Sequence, residues 1–150
     1  MADLKLEEDY AKLAYETKIY RKQLTILQRE IERITLTSID LTNALNTVEG
    51  IKKGEALVPI GGGSFAKAQI SDVNILVPVG GGYLIEMDKK NAEDRMKNRI
   101  EATKTAVQRL SQEFGSISAR LEEVTAQLKE LEKRIAIEHR VEEETREDYL

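Results

Sequence analysis

The sequence has no cysteine and no tryptophan, and it carries only two phenylalanines, two prolines and one histidine. Without cysteine there are no disulfides and no thiolate chemistry, which fits an intracellular protein. A lone histidine, His139, beside glutamates could bind metal only weakly and reads as an exposed surface residue, because a metal site needs three or four converging ligands. It also leaves acyl transfer and acid–base catalysis without a constellation, because Ser64, Ser71 and the threonines have no base nearby. No apolar run approaches the roughly 20 residues needed to span a bilayer. The opening "MADLKLEEDY" is charged and has no apolar signal core. A net charge of -4 gives no basic footprint for nucleic acid. These absences predict a soluble, cytoplasmic chain with no enzymatic activity, no cofactor, no metal, and no nucleic-acid or membrane partner.

What is present is charge and periodicity. Charged residues make up 33% of the chain and aromatics 5%, a balance found in disordered chains or long helices. Hydrophobic residues reach 41% and are regularly spaced, which argues for helices. From Leu4 to Glu49 the spacing is heptad. Leu6, Leu13, Tyr20, Leu27, Ile34, Leu41 and Val48 form one row. Tyr10, Thr17, Leu24, Ile31, Ser38 and Leu45 form the other, with Thr17 and Ser38 as small polar interruptions. So narrow a seam is the mark of a coiled coil. No proline or glycine interrupts this helix, and Gly50 offers a stop. At 1.5 Å per residue it would be roughly 70 Å long.

The spacing predicts a second such helix over 89–137. Ile100, Val107, Phe114, Leu121, Leu128 and Ile135 step by seven, beside Met96, Thr103, Leu110, Ile117, Val124 and Leu131. Asp88 or Asn91 can cap its start. Gly115 lies inside it and reads as a tolerated surface position. Two matched seams joined by a middle segment should fold back antiparallel. If Val48 lies opposite Ala92, the numbers of facing residues add to roughly 140, by equal rise along both helices. Leu4 then faces about Ala136, and there the second seam fails, at Glu138 and Glu142. Residues 138–150, "EHRVEEETREDYL", hold six acids and two arginines and read as a charged tail or fraying helix end. Glu93 with Lys97, and Glu130 with Arg134, have the spacing of surface helix pairs.

The middle segment differs. From Gly54 to Met87 it holds both prolines and seven of the nine glycines. "LVPIGGG" and "LVPVGGG" repeat within it. Over 55–87, alternating apolar residues separated by turn residues predict two successive β-hairpins. A phosphate loop needs Gly-Lys-Ser/Thr entering a helix, whereas Ser64-Phe65 and Tyr83-Leu84 continue as strand. The glycine triplets are therefore hairpin turns. Pro59 and Pro78 cannot donate ladder hydrogen bonds, so each demands an edge or a bulge. Four short strands cannot bury both faces, and exposed apolar strands are a liability in a monomer. We expect the hairpins of several chains to complete one sheet or barrel. The residues for this are Leu57, Val58, Pro59, Ile60 and Phe65 in the first hairpin. In the second they are Ile75, Leu76, Val77, Pro78, Val79, Tyr83 and Ile85.

Coiled coil, "LVPIGGGSF", a second hairpin with "VPVGGGY" and a second coiled coil together resemble the alpha-type subunit of the prefoldin family. The likeness covers essentially the whole chain as one domain, 1–150, of class α+β. Its most specific part is the LVP-x-G-x-G-S-F stretch, although the middle glycine of each triplet departs from a pattern that often has another small residue there. The resemblance implies a jellyfish-shaped hexamer of two alpha-type and four beta-type subunits with a β-barrel hub. It implies an ATP-independent chaperone that captures unfolded client proteins at the coil tips and delivers them to a group II chaperonin. The tip residues would be Leu4, Leu6, Tyr10 and Leu13 on one helix and Leu131, Ile135, Ile137 and Val141 on the other. The alternative is a structural coiled-coil scaffold or a filament-forming prefoldin relative.

Overall fold

The computed structural model describes residues 2–149. Helix α1 spans Ala2–Gly50 and helix α2 spans Lys89–Glu147. Between them lie β1 (Gly54–Gly61), β2 (Ser64–Ile70), β3 (Ile75–Gly80) and β4 (Tyr83–Met87). The chain divides into two compact units, Met1–Glu32 with Gln108–Leu150, and Arg33–Val107. Among the described residues no helix is long and apolar enough to cross a membrane.

Every residue of the predicted heptad rows is buried or half-buried in both helices. This is what a narrow seam requires, since each apolar knob must find a hole on a facing helix. The polar position Thr17 is buried yet satisfied, because its hydroxyl donates to the Leu13 carbonyl at 2.9 Å. Thr103 does the same toward Ile100 at 2.6 Å. Such back-bonding lets a hydroxyl occupy an apolar seam without an unmet donor. Gly115 is helical, and a Cβ there would meet nothing within 4 Å.

In the unit Arg33–Val107 the two helix ends and the second hairpin share one small core. Val48, Val77, Ala92 and Met96 are buried together, with Ala44, Leu45, Ile75 and Met87 packed around them. Val48 and Ala92, the pair from which the antiparallel register was reckoned, thus lie in one core. Of the two candidate caps for α2, Asp88 takes the role: its Oδ1 accepts the Asn91 N–H at 2.8 Å. Helix α1 stops at Gly50, as expected. Gly50 is not left-handed, and the helix closes with a tight bond from the Ile51 N–H to the Val48 carbonyl at 3.3 Å. Lys89 adds a side-chain cap, its Nζ donating to Glu49 O at 2.7 Å and, just past the helix, to Ile51 O at 3.4 Å.

The strands form two separate two-stranded antiparallel sheets, β1–β2 and β3–β4. The repeated heptapeptides have repeated geometry. Gly61, Gly62 and Gly63 have φ of 105°, 58° and 75°, and Gly80, Gly81 and Gly82 have 110°, 61° and 79°. In each case the last two are the central residues of a tight hairpin loop, where positive φ at both positions matches the twist of the strands. Each proline precedes a bulge. The register shifts between Pro59 and Gly61 and between Pro78 and Gly80, leaving Ile60 and Val79 as the extra residues. Asp72 closes the link between hairpins, its Oδ1 accepting the Asn74 N–H at 2.9 Å.

Helix α2 runs ten residues beyond Ile137, the end predicted from the seam. Residues 138–147 are helical although the apolar rows have stopped. Glutamate and arginine are good helix formers, so local propensity carries the helix on.

Candidate functional site

Two surfaces carry the candidate residues. The first is formed by the hairpins. In β3–β4, Ile75 pairs with Met87 and Val77 with Ile85 on one face. That face docks on the helix core, and Val77 retains only 2% of its exposure. Val77 is therefore an internal anchor, not a free contact for another chain, and Ile75 is half-buried beside it. The opposite face holds Leu76, and Pro78 opposite Leu84; Leu76 and Leu84 are both exposed. Val79, Tyr83 and Ile85 are exposed as well. Leu84 was missed by the sequence reading because it falls out of step with the alternation of Tyr83, Ile85 and Met87. Its place opposite Pro78 in the repeat was the signal that could have found it.

The first hairpin is held less. Only Gly54, Ala56, Ala68 and Ile70, away from its turn, are half-buried. Leu57, Val58, Ile60 and Phe65 are exposed, with Phe65 opposite Pro59. Within the described chain each hairpin also has two outer strand edges free of ladder partners. Apolar side chains beside unmet backbone groups form a template for pairing with further strands.

The second surface lies in the unit that holds both chain ends. The Tyr10 hydroxyl donates to Glu132 Oε1 at 3.2 Å, linking α1 to α2. That hydrogen bond, and then the negative charge of Glu132, push the Tyr10 hydroxyl above its ordinary pKa. Leu13 and Leu131 line a groove with Asp9, Lys12, Glu16 and Gln127. Leu6 and Ile135 line a second one with Glu7, Glu138 and His139. The eight predicted tip residues therefore split. Leu6, Tyr10, Leu13, Leu131 and Ile135 are half-buried in the seam. Leu4, Ile137 and Val141 are open to solvent, at 65%, 60% and 56% of full exposure.

Among the described residues no group of three or more His, Asp or Glu side chains could hold a metal ion. Arg134 Nε lies 4.0 Å from Glu130 Oε1, a solvent-exposed pair of small value. Among the described residues Glu93 and Lys97 make no ion pair.

The prefoldin subunit family model matches residues 20–136. The prefoldin subunit alpha of Pyrococcus horikoshii is 30% identical over 133 residues, covering 85% of this chain and 90% of its own. That of Methanobrevibacter smithii is 28% identical, covering 80% of this chain and 90% of its own. The filamentous PFD of Methanocaldococcus jannaschii, seen by cryo-EM, superposes with a TM-score of 0.64 at 23% identity. It covers 76% of this chain and 98% of its own, and shows the shared fold. Two seamed helices, a duplicated bulged hairpin and a family match from Tyr20 to Ala136 make this chain a member of the prefoldin family, a family of chaperone subunits and not of enzymes.

Proposed function

We propose that this chain is the alpha-type subunit of an ATP-independent holdase that binds non-native proteins and passes them to a group II chaperonin. The observation that carries this is the division of its apolar surface. The seam residues are covered, while Leu4, Ile137 and Val141 stand exposed where the seam runs out. Exposed apolar groups on fraying helix ends can bind many unfolded chains weakly. Several such ends in one assembly add avidity without any single tight contact. The seam residues Leu6, Tyr10, Leu13, Leu131 and Ile135 join them when the helix ends part.

The exposed hairpins supply the assembly. Leu57, Val58, Ile60, Phe65, Leu76, Val79, Tyr83 and Ile85 would be covered by beta-type subunits in a hexamer of two alpha-type and four beta-type chains with a shared β-barrel. The complex would work in the cytoplasm. A second reading is self-assembly into a scaffold or filament, favoured by the shared fold with the filamentous archaeal PFD.

The test is a mass measurement of this chain alone and with a beta-type partner, followed by aggregation of a chemically denatured client. The reading expects a hexamer that suppresses aggregation at stoichiometric amounts. A verified hexamer that leaves aggregation unchanged sinks it. Long filaments of the lone chain under the electron microscope favour the second reading.

A further inference from the structure

We infer that the end of α2 beyond the seam is a docking face for basic amphipathic polypeptide segments, so that client capture at this end selects for positive charge. The inference rests on the chaperone reading above and names the class of client it favours. Ile137, Val141 and Thr145 recur every four residues near the end of α2, and Tyr149 follows in the turn just beyond Glu147. Ile137, Val141 and Tyr149 are exposed, Tyr149 at 88%. The Thr145 hydroxyl is taken by the Val141 carbonyl at 2.6 Å, which leaves no free donor in the middle of the stripe. Val141, Thr145 and Tyr149 line a shallow groove with Glu142 and Arg146.

The charges around this stripe identify its occupant. Residues 138–150 contain six acids against two arginines, enough to account for the whole net charge of -4. Glu143 and Glu147 are four apart on α2, and Glu144 is four from Asp148, whose N–H donates to the Glu144 carbonyl at 3.2 Å just past the helix. Like charges at that spacing destabilise a helix. The carbonyl end of a helix is itself partially negative, so acids there are placed against the dipole. Arg146 is the one basic residue in the last turn. A cationic partner relieves both conflicts, while the apolar stripe gives it a surface to cover. A second copy of the same face would bring acid against acid, and polyanions are repelled for the same reason.

The experiment uses the full chain and two dye-labelled helical peptides with one apolar pattern, lysine filling the polar positions of one and glutamate those of the other. Fluorescence anisotropy should give on the order of tenfold tighter binding of the lysine peptide at low salt, with the ratio shrinking as salt screens the charges. The double variant Val141→Ser with Tyr149→Ser should lose most of that binding. The triple variant Glu142→Lys, Glu144→Lys and Asp148→Lys should reverse the preference. All these positions are exposed, so circular dichroism should stay unchanged. Equal binding of both peptides, or lysine-peptide binding that neither variant moves, overturns the inference. So does a fall in oligomeric mass in the serine variant, which would mean a second copy covers the face. Suppression of client aggregation without charge preference overturns this inference alone; a charge preference without suppression supports the face and removes the chaperone reading.

Discussion

Lys89 caps the helix that ended 39 residues earlier: its ammonium nitrogen lies 2.7 Å from the main-chain oxygen of Glu49. The first residue of α2 thus closes the last turn of α1, which has no basic side chain of its own in that turn. A cation there satisfies a carbonyl without a partner and opposes the negative end of the dipole. Lys89→Met keeps the aliphatic stem and removes the charge. It should cost about 1 kcal/mol, read as a lower denaturant midpoint with an unchanged slope. An unchanged midpoint would mean that water caps the turn as well as Lys89 does.

Val77 should be the most sensitive position in the hairpins, for a reason internal to the chain. It is the residue of the strands that sits deepest in the core shared with Val48, Ala92 and Met96. Val77→Ala should destabilise the fold by about 2 kcal/mol through lost burial and a residual cavity. Leu76→Ser, on the exposed face of the same strand, should leave the stability of the lone chain within about 0.5 kcal/mol. Under the proposed function it should instead weaken assembly with the beta-type partner. Comparing thermal melts with mass measurements separates the two effects. If both variants melt alike, the two faces of β3 are not distinct.

Glycines in this chain do opposite jobs. Gly63 has φ 75° in a hairpin loop, and Gly115 is helical with open space around its missing Cβ. Gly115→Ala should stabilise by about 0.5–1 kcal/mol, by removing conformational freedom from the unfolded chain. Gly63→Ala should destabilise by about 1–2 kcal/mol, because an L side chain strains at that φ. Chemical denaturation of the two variants tests the contrast, and a stabilising Gly63→Ala would show that the loop can adopt another turn type.

Much of this architecture was legible in the sequence because its parts are repetitive. A seam of one residue type every three or four positions is hard to satisfy by chance, and all of its members are covered in the structure. The repeated LVP-x-GGG likewise announced two turns, and the bulges after Pro59 and Pro78 follow from the missing N–H. What the sequence hid was long-range. Nothing near Lys89 marks it as the cap of another helix. Period-two alternation separates the faces of a strand but cannot say which face docks, so Val77 and Leu76 looked equivalent. The seam's failure after Ile135 marked the end of helix pairing, yet the helix continues to Glu147, since pairing and propensity are separate causes. Exposed Ile137 and Val141 were legible as apolar residues out of register. Tyr149 was not, because its place beside Val141 and Thr145 depends on the tail staying helical as far as Glu147.

Tyr10 gives a pH-dependent prediction with a definite sign. Its hydroxyl donates to Glu132, and deprotonation would both remove that donor and set two negative charges together, so its folded pKa lies above the unfolded value of 10.0. A group raised on folding contributes stability that is fully present below the unfolded pKa. That contribution is lost as pH rises through the folded value. The link should therefore hold unchanged through neutral pH and fail only in strong alkali, above about pH 10. Tyr10→Phe should remove this alkaline component and leave stability at neutral pH little altered, since the pair is solvent-exposed. Carbon NMR titration of the tyrosine rings should show the Tyr10 resonance ionising above the ordinary range in the intact chain. The same titration in Glu132→Gln should bring it back toward that range. If it does not move, Glu132 is not what holds the proton.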